Sequence, residues 1–221
     1  PPAFLLEENR CRGFSIWSQI PLSDRLAALR GFPEKLRKEK EGFAELITKE
    51  MGRPILEARA GVDKAAEACE FILAHAPEYL EPEVSELDGG LKNELEFIPM
   101  GVVLAISPWN YPVQLSLYEI LPALICGNAV IHKPSRVTPL IGLKLQALFN
   151  ELLAPYTSKE APILETVITT SDVAQKIIED KIEMVALIGS TEAGRDIMQR
   201  ASARLLNIAL ELGGKDAFVV L

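Results

Sequence analysis

The sequence predicts an α/β fold, in which a mainly parallel β-sheet is covered by helices and follows an N-terminal helical segment. Three observations support this prediction. Residues 22–80 are rich in helix formers with apolar positions three and four apart, and strand-like and helical stretches alternate after residue 90. The 221 residues, 48% hydrophobic and 24% charged, have the length and composition of a globular protein with a sizeable core.

The N-terminal segment is predicted to form a series of helices. Within residues 22–51, Ser23 is a candidate N-cap, and the Gly-Phe-Pro sequence at 31–33 interrupts the periodicity, which predicts two helices there. Helical periodicity resumes after Pro54 and continues to residue 80.

The change of pattern near residue 90 predicts a division into two parts. The stretch LEPEVSELDGG, residues 80–90, breaks the helical periodicity and contains proline and paired glycines. We therefore assign residues 1–90 to a helical segment that packs on an α/β domain formed by residues 91–221.

In the α/β part, strand-like runs are each followed by a helical stretch, as is typical of a parallel sheet. Because ligands of such sheets bind at the carboxyl ends of the strands, functional residues are expected at those ends. Strands are predicted over residues 95–107, 128–133, 166–170, 183–189, 205–212 and 216–221, and helices over 113–126, 138–153, 172–180 and 191–203.

Charge and composition exclude several kinds of site. The formal net charge of −8 argues against binding to nucleic acid or to anionic membranes. Cys11, Cys69 and Cys126 are scattered without disulfide or zinc-site spacing, and His75 and His132 belong to no ligand pattern, so we expect no metal centre. No apolar run is long enough to cross a bilayer and no leader precedes the first helix, so a cytoplasmic location is expected.

The first two predicted strands of the α/β part end in unusual turns. In ISPWNYP, prolines on both sides of Asn110 stiffen the backbone, and a stiff turn can aim a side chain. In HKPSR, Lys133, Ser135 and Arg136 leave the next strand together, which suits a phosphate or a ribose. A solvated loop with a helix cap is the alternative for HKPSR.

Two later strand ends carry further candidates. In IGSTEAGR, Gly189 closes a strand and Ser190 or Thr191 caps a helix, whose free amides form a cradle for a pyrophosphate. The sequence lacks the Lys-Ser/Thr pair of a P-loop, which argues against hydrolysis of nucleoside triphosphates. In LELGGKD, Glu211 precedes paired glycines and is a candidate general base, although a structural role is the alternative.

The stretches ISPWNYP, HKPSRVTP, IGSTEAGR and LELGGKD, in this order and at these separations, resemble the aldehyde dehydrogenase superfamily. FSIWSQIPLSDRLAALR and ITKEMGRPILEARAGV are similar to its N-terminal helices, and KEMGRPILEARAGV favours the succinate-semialdehyde branch. The resemblance implies a Rossmann-like domain that binds NADP or NAD, a small aldehyde as substrate, a carboxylic acid as product, and association into a homo-oligomer.

The resemblance also assigns roles to individual residues. Asn110 matches the amide that holds the oxyanion, and Glu211 matches the glutamate that activates water for thioester hydrolysis. Arg136 stands where many NAD-dependent members have a glutamate, which favours NADP over NAD. The residues that match cofactor-binding positions are Ile106, Trp109, Asn110, Lys133, Pro134, Ser135, Arg136, Gly189, Ser190, Leu212 and Gly213.

The nucleophilic cysteine of this family lies beyond Leu221, and Cys126 matches an ordinary core position. We therefore expect a chain without the C-terminal catalytic domain, which does not oxidise aldehydes by itself. Two alternatives remain at this point. One is a non-enzymatic module that binds a nucleotide or a partner. The other is an acyl-phosphate or acyl-CoA reductase of the same architecture, which also needs the cysteine.

Overall fold

The computed structural model describes residues 11–87, 89–179 and 182–220. Helix α1 covers residues 11–17 of the described chain. The other helices are α2 Leu22–Leu29, α3 Phe32–Lys38, α4 Lys40–Met51, α5 Ile55–Tyr79, α6 Pro112–Ile125, α7 Pro139–Leu153, α8 Ser171–Glu179 and α9 Thr191–Ser202. The strands are β1 Glu83–Leu87, β2 Leu91–Leu95, β3 Val102–Ile106, β4 Ala129–Lys133, β5 Leu164–Thr166, β6 Met184–Gly189 and β7 Asn207–Leu212.

The central sheet has five strands in the order β5-β4-β3-β6-β7, and all its pairs are parallel. The chain runs outward from β3 through β4 to β5, and then returns to place β6 on the other side of β3. The order therefore reverses between β3 and β6, where open sheets of this kind form a ligand-binding crevice. The predicted α/β fold with a parallel sheet is confirmed.

Helices cover both faces of the sheet. Val102 and Leu104 of β3 pack in one hydrophobic cluster with Ile178 and Ile197, on the side of α8 and α9. Ala105 belongs to the other cluster, which the N-terminal helices form together with α6 and α7. The alternation follows from the period of two along a strand.

The N-terminal helices and the helices of the sheet share one core. The rings of Phe32 and Phe149 stack with centroids 4.1 Å apart, which joins α3 to α7. Trp17 is fully buried and its indole N–H donates to the carbonyl oxygen of Leu124 in α6. The predicted boundary between residues 90 and 91 stays a prediction.

The prediction of two helices within residues 22–51 was wrong, because this stretch forms α2, α3 and α4. The extra break lies at Glu39, whose φ of −92° and ψ of 10° end α3. Strong helix formers surround Glu39, so local propensity gives no signal for this break, and the Glu39 carboxylate pairs with Lys144 of α7 at 2.6 Å. Ser23 is not the N-cap of α2 either, because the helix begins at Leu22 after Pro21.

The predicted strand over residues 95–107 is two separate elements. β2 ends at Leu95 in an antiparallel hairpin with β1, and β3 begins at Val102. Pro99 has no N–H to donate to a strand ladder, and Gly101 has a φ of 140°, so the chain between the two strands is irregular. The hairpin lies within and just after the stretch predicted to be a joint.

Three other strand predictions differ from the structure. The strand predicted over 166–170 was misplaced, because β5 covers Leu164–Thr166 and shares only Thr166 with the prediction. Its pairing with β4 ends at His132 and Thr166, and Pro134 after β4 has no N–H to extend the ladder. β7 begins at Asn207 rather than at residue 205, since Leu205 has a φ of 53°. Residues 216–220 form no strand with any described segment and are exposed, and residue 221 lies outside the described chain.

Within the ranges that the structure describes, none of the helices is both long enough and apolar enough to span a membrane.

Candidate functional site

A cavity of about 1380 Å³ extends along one face of the sheet, from Met100 and Met184 at the amino ends of β3 and β6 to the carboxyl ends of β3, β6 and β7. It includes the point between β3 and β6 where the strand order reverses. Sequence-predicted site residues from three separate turns meet there: Trp109 and Asn110 after β3, Gly189 and Ser190 at the end of β6, and Glu211, Leu212 and Gly213 at the end of β7.

The other predicted site residues do not line this cavity. Ile106 and Lys133 are register partners at the ends of β3 and β4, and Pro134, Ser135 and Arg136 follow in the neighbouring turn. Helix α7 packs closely on this turn because Gly142 has no side chain. A Cβ atom at that position would lie 2.5 Å from Cγ of Pro134.

The side chain of Asn110 is held by the backbone of the next residue. Its Oδ1 atom accepts a hydrogen bond from the N–H of Tyr111 at 3.1 Å. No described residue accepts a hydrogen bond from its Nδ2 group, so this amide remains a donor for another molecule. Asn110 lines the cavity and therefore offers a neutral donor to negative charge that develops there.

A buried polar network lies next to the turn after β3, which carries Asn110. Ser107 Oγ donates to Glu119 Oε2 and lies 3.2 Å from Nε2 of His132, which is also 3.1 Å from Oγ of Ser116. Burial lowers the pKa of His132 to about 3, and nearby Lys133 adds to this shift, so the imidazole is neutral.

Glu119 is the acidic member of this network and it lines the cavity. Burial raises its pKa to about 8, although the hydrogen bond from Ser107 acts in the opposite direction. Its Oε1 atom has no hydrogen-bond partner within the described ranges. At neutral pH the carboxyl group therefore holds a proton.

Helix α9 presents its N-terminus to the cavity. Ser190 is its N-cap, with a side-chain oxygen that accepts the N–H of Ala193 at 3.1 Å. The first amides of the helix have no acceptor within the helix, so they and the helix dipole favour an anion. Gly194 allows α9 to approach β7, since a Cβ there would lie 2.8 Å from the side chain of Leu212.

The end of β7 is open. Glu211 is exposed and lines the cavity. At Gly213 and Gly214, no atom of a described residue lies within 4 Å of where a Cβ would be. A flat molecule can therefore approach the backbone beside Glu211.

The turn after β4 carries two cationic groups. Lys133 is half-buried, and its pKa is lowered mainly by burial and further by the guanidinium of Arg136. Arg136 is exposed and forms no ion pair with the carboxylates that the structure describes. Two neighbouring cations without an acidic partner favour the binding of an anion.

Two of the three cysteines, Cys69 and Cys126, have little nucleophilic character. Cys69 is buried in α5, and burial raises the pKa of its thiol to about 12. Cys126 is half-buried and lines the cavity, and burial raises its pKa against the opposing effect of Arg25. Because the thiolate is the nucleophile, neither group is suited to attack a carbonyl carbon.

Sequence reasoning missed three residues around the site. Arg53 donates to the backbone carbonyl of Asn110, Glu50 accepts from the start of α7, and Glu119 contributes the buried carboxyl. Signals for two of them were present in the sequence. Glu119 is the only charged residue in the apolar helix α6, and Arg53 precedes Pro54, which holds it out of a helix.

The sequence matches the profile of the aldehyde dehydrogenase family over residues 9–221. The chain is 32% identical over 216 residues to the NADP(+) succinate-semialdehyde dehydrogenase of Deinococcus radiodurans. The aligned stretch covers 98% of this chain and 44% of that relative. It is 33% identical over 212 residues to the NAD(P)+ succinate semialdehyde dehydrogenase Sad of Escherichia coli, again over 44% of the relative.

Solved structures agree with these relatives. Succinic semialdehyde dehydrogenase from Streptococcus pyogenes, solved with NADP+, superposes with a TM-score of 0.88 at 29% identity and covers 99% of this chain and 47% of its own. Betaine aldehyde dehydrogenase from Staphylococcus aureus, solved with NAD+, gives a TM-score of 0.85 at 27% identity and covers 95% of this chain and 42% of its own.

The chain thus spans less than half the length of these relatives. The family profile extends over the N-terminal helices and every strand of the sheet. The resemblance found in the four turns is confirmed, and the chain belongs to the aldehyde dehydrogenase family.

Proposed function

We propose that this chain is the NAD(P)-binding portion of an enzyme that oxidises an aldehyde to a carboxylic acid. The overall reaction consumes one aldehyde, one water and one oxidised nicotinamide, and it releases the acid, the reduced nicotinamide and a proton. The observation that carries the proposal is the meeting of Asn110 and Glu211 on one cavity, at the reversal of strand order.

The residues around the cavity fit a dinucleotide. The N-terminus of α9 with Ser190 suits the pyrophosphate, and the open backbone at Gly213 accommodates a flat ring. Lys133 and Arg136 suit the adenosine end, with Arg136 available to a 2′-phosphate, so NADP is favoured over NAD. When bound, the nicotinamide supplies a hydride acceptor.

The chain's own residues then have two chemical tasks. Asn110 donates from Nδ2 to the oxygen of the aldehyde when that oxygen becomes negative during attack. Glu211 takes a proton from the water that hydrolyses the acyl intermediate. Cys69 and Cys126 are poorly suited to attack, and the family resemblance places the nucleophilic cysteine outside these 221 residues.

The substrate is proposed to be a small aldehyde. The named relatives in the succinate-semialdehyde group favour a semialdehyde, which carries one carboxylate besides the aldehyde. Assembly into a homo-oligomer is a proposal that follows from the family resemblance, and cytoplasmic location is one that follows from the sequence pattern.

The test uses the full-length protein that contains this chain. Formation of NADPH or NADH from succinate semialdehyde and other small aldehydes is expected, and Asn110→Ala should lower kcat by about 10²–10³-fold. The matched control is Asn93→Ala in the exposed strand β2, which should leave kcat unchanged. Binding of nucleotide without turnover by the full-length wild type would instead support a non-enzymatic module.

A further inference from the structure

A short segment outside the cavity contacts the turn after β3, which lines the cavity, and the start of helix α7, which follows the turn after β4. We call residues 50–53, which comprise the last two residues of α4 and the first two of the link to α5, the bridging segment. Gly52 ends α4 in the left-handed conformation with a φ of 80°, and Pro54 has a φ of −53°. Glu50 and Arg53 are therefore held at the two ends of a stiff reversal of the chain.

Arg53 contacts the turn after β3. Its Nη2 atom donates to the carbonyl oxygen of Asn110 at 2.8 Å, and its guanidinium carbon lies 4.2 Å from the ring centroid of Tyr111. The hydrogen bond fixes the carbonyl of Asn110, and the stacked ring fixes the following residue. Since the N–H of Tyr111 orients the Asn110 side chain, Arg53 determines where the Nδ2 donor points.

Glu50 contacts the turn after β4 through helix α7. Its two carboxylate oxygens accept the N–H groups of Leu140 at 2.9 Å and of Ile141 at 3.2 Å. Thr138, the N-cap residue of α7, makes no side-chain cap bond to any residue that the structure describes. Glu50 therefore caps α7 in its place and stabilises the end of the turn that carries Arg136.

We propose that Glu50 and Arg53 are positioning residues for the reaction, with Arg53 orienting the oxyanion donor Asn110 and Glu50 fixing the adenosine-binding turn. The proposal rests on the proposed function. The two contacts predict different kinetic effects. Loss of Arg53 affects the chemical step, because Asn110 acts there, whereas loss of Glu50 affects cofactor binding.

The Arg53 arm is a double-mutant cycle in the full-length protein. Arg53→Ala is expected to lower kcat by about tenfold to a hundredfold, because a misplaced catalytic group loses rate steeply. In an Asn110→Ala background the same substitution should change kcat by less than about twofold, since the group that it orients is gone. Arg59→Ala, which breaks an exposed ion pair with Glu41, is the control and should retain kcat.

Additivity decides whether Arg53 has only a structural role. If Arg53→Ala lowers kcat by the same factor with and without Asn110, or leaves kcat at the wild-type value, the positioning role is refuted. Thermal unfolding of each variant is measured in parallel, because a purely structural role would lower Tm and activity together in both backgrounds.

The experiment on Glu50 measures its effects on KM and on kcat separately. Glu50→Ala is expected to raise the KM and the Kd for NADP+ by about threefold to tenfold, as expected for loss of a charged cap, with kcat within about twofold of the wild type. Glu57→Ala removes an acidic residue from the first turn of α5 and serves as the control. An unchanged Kd, or an equal loss in kcat, refutes the role of Glu50.

A second readout does not depend on activity. Trp109 is half-exposed in the turn that Arg53 holds, whereas Trp17 is fully buried. Acrylamide quenching of tryptophan fluorescence should increase in Arg53→Ala but not in Arg59→Ala. If the full-length wild type oxidises no aldehyde, the proposed function fails, and unchanged quenching in Arg53→Ala separately refutes the positioning of the turn.

Discussion

At the scale of the residue, the site depends on which polar atoms remain free to bind a ligand after neighbouring groups have formed their hydrogen bonds. Asn110 has one end of its amide occupied by the backbone of Tyr111, which leaves Nδ2 as a donor. Glu211 has no such restraint, since it is exposed at the end of β7 beside glycines with open backbone. A fixed donor and an accessible carboxylate suit oxyanion stabilisation and water activation, respectively.

The first residue-scale prediction concerns Glu211. In the full-length enzyme, Glu211→Gln should slow thioester hydrolysis more than hydride transfer, because the amide cannot accept a proton from water. Rapid mixing should show a burst of reduced cofactor followed by a slow steady state. Glu160→Gln in an exposed turn is the control, and equal slowing of both phases by Glu211→Gln would contradict the assigned role.

The second residue-scale prediction concerns Arg136. If its guanidinium binds the 2′-phosphate of NADP, the contact is worth about 1.5–3 kcal/mol, or about one to two decades of affinity. Arg136→Glu should therefore shift the ratio of kcat/KM for NADP and NAD towards NAD. Lys92→Glu, in the exposed strand β2, makes the same change of charge away from the site. A ratio that does not move would refute the assignment.

Seven of the twelve predicted site residues line the cavity, because turn residues carry strong local signals. Paired prolines around Asn110 and paired glycines after Glu211 were visible in the sequence. Arg53 could not be assigned in the same way. Its partner is a backbone carbonyl 57 positions away along the chain, and no local pattern encodes such a contact.

At the scale of the element, the buried network under the cavity links β3, α6 and β4 through Ser107, Glu119 and His132. The two titratable groups are perturbed in opposite senses. His132 keeps its neutral form down to a pKa of about 3, and Glu119 keeps its proton up to a pKa of about 8. Stability should therefore depend on pH through both groups.

For this network we predict that the free energy of unfolding falls as pH rises through neutrality. We expect this fall to be absent in Glu119→Gln. Between the unfolded pKa of 4.5 and about 8, the unfolded state releases a proton that folded Glu119 retains, so stability falls as pH rises. His132 acts oppositely between about 3 and 6.5, where the unfolded state binds the extra proton and stability rises with pH. The net fall should appear between about pH 6.5 and 8.

Urea unfolding from pH 5 to 8.5 measures this dependence. Glutamine at position 119 retains an acceptor for Ser107 but does not titrate, so the fall above pH 6.5 should be lost in the variant. Glu160→Gln should retain the wild-type profile. A variant at position 119 with the same pH profile as the wild type would exclude Glu119 as the cause.

Elements were predicted well where periodicity was strong and poorly where tertiary contacts decided their ends. The helices α5, α6, α7 and α9 agree with the predictions to within about two residues at each end, which is the normal ambiguity of helix boundaries. The break at Glu39 coincides with a tertiary ion pair to Lys144, and the position of β5 is set by its pairing with β4 at Leu164–Thr166. Neither contact can be read from local sequence.

At the scale of the whole molecule, the fold provides the proposed cofactor site and the two proposed catalytic groups but no activated thiol among Cys69 and Cys126. The prediction is that these 221 residues alone bind NADP without oxidising aldehydes. The measurement compares NADP+ titration with an assay of NADPH formation on several aldehydes. Turnover that survives replacement of all three cysteines by serine, or that depends on Cys126, would contradict the prediction.

The larger hydrophobic cluster has a consequence for how the protein acquires its structure during synthesis. All its buried members lie between Trp17 and Leu164, whereas β6 and β7 contribute none. A ribosome therefore completes the residues of this core before it makes the strands that flank the other side of β3. Since folding proceeds from the N-terminus during translation, we expect α1–α7 and β3–β5 to collapse first. β6 would then dock on β3 as a late event, and the ligand crevice would close with it.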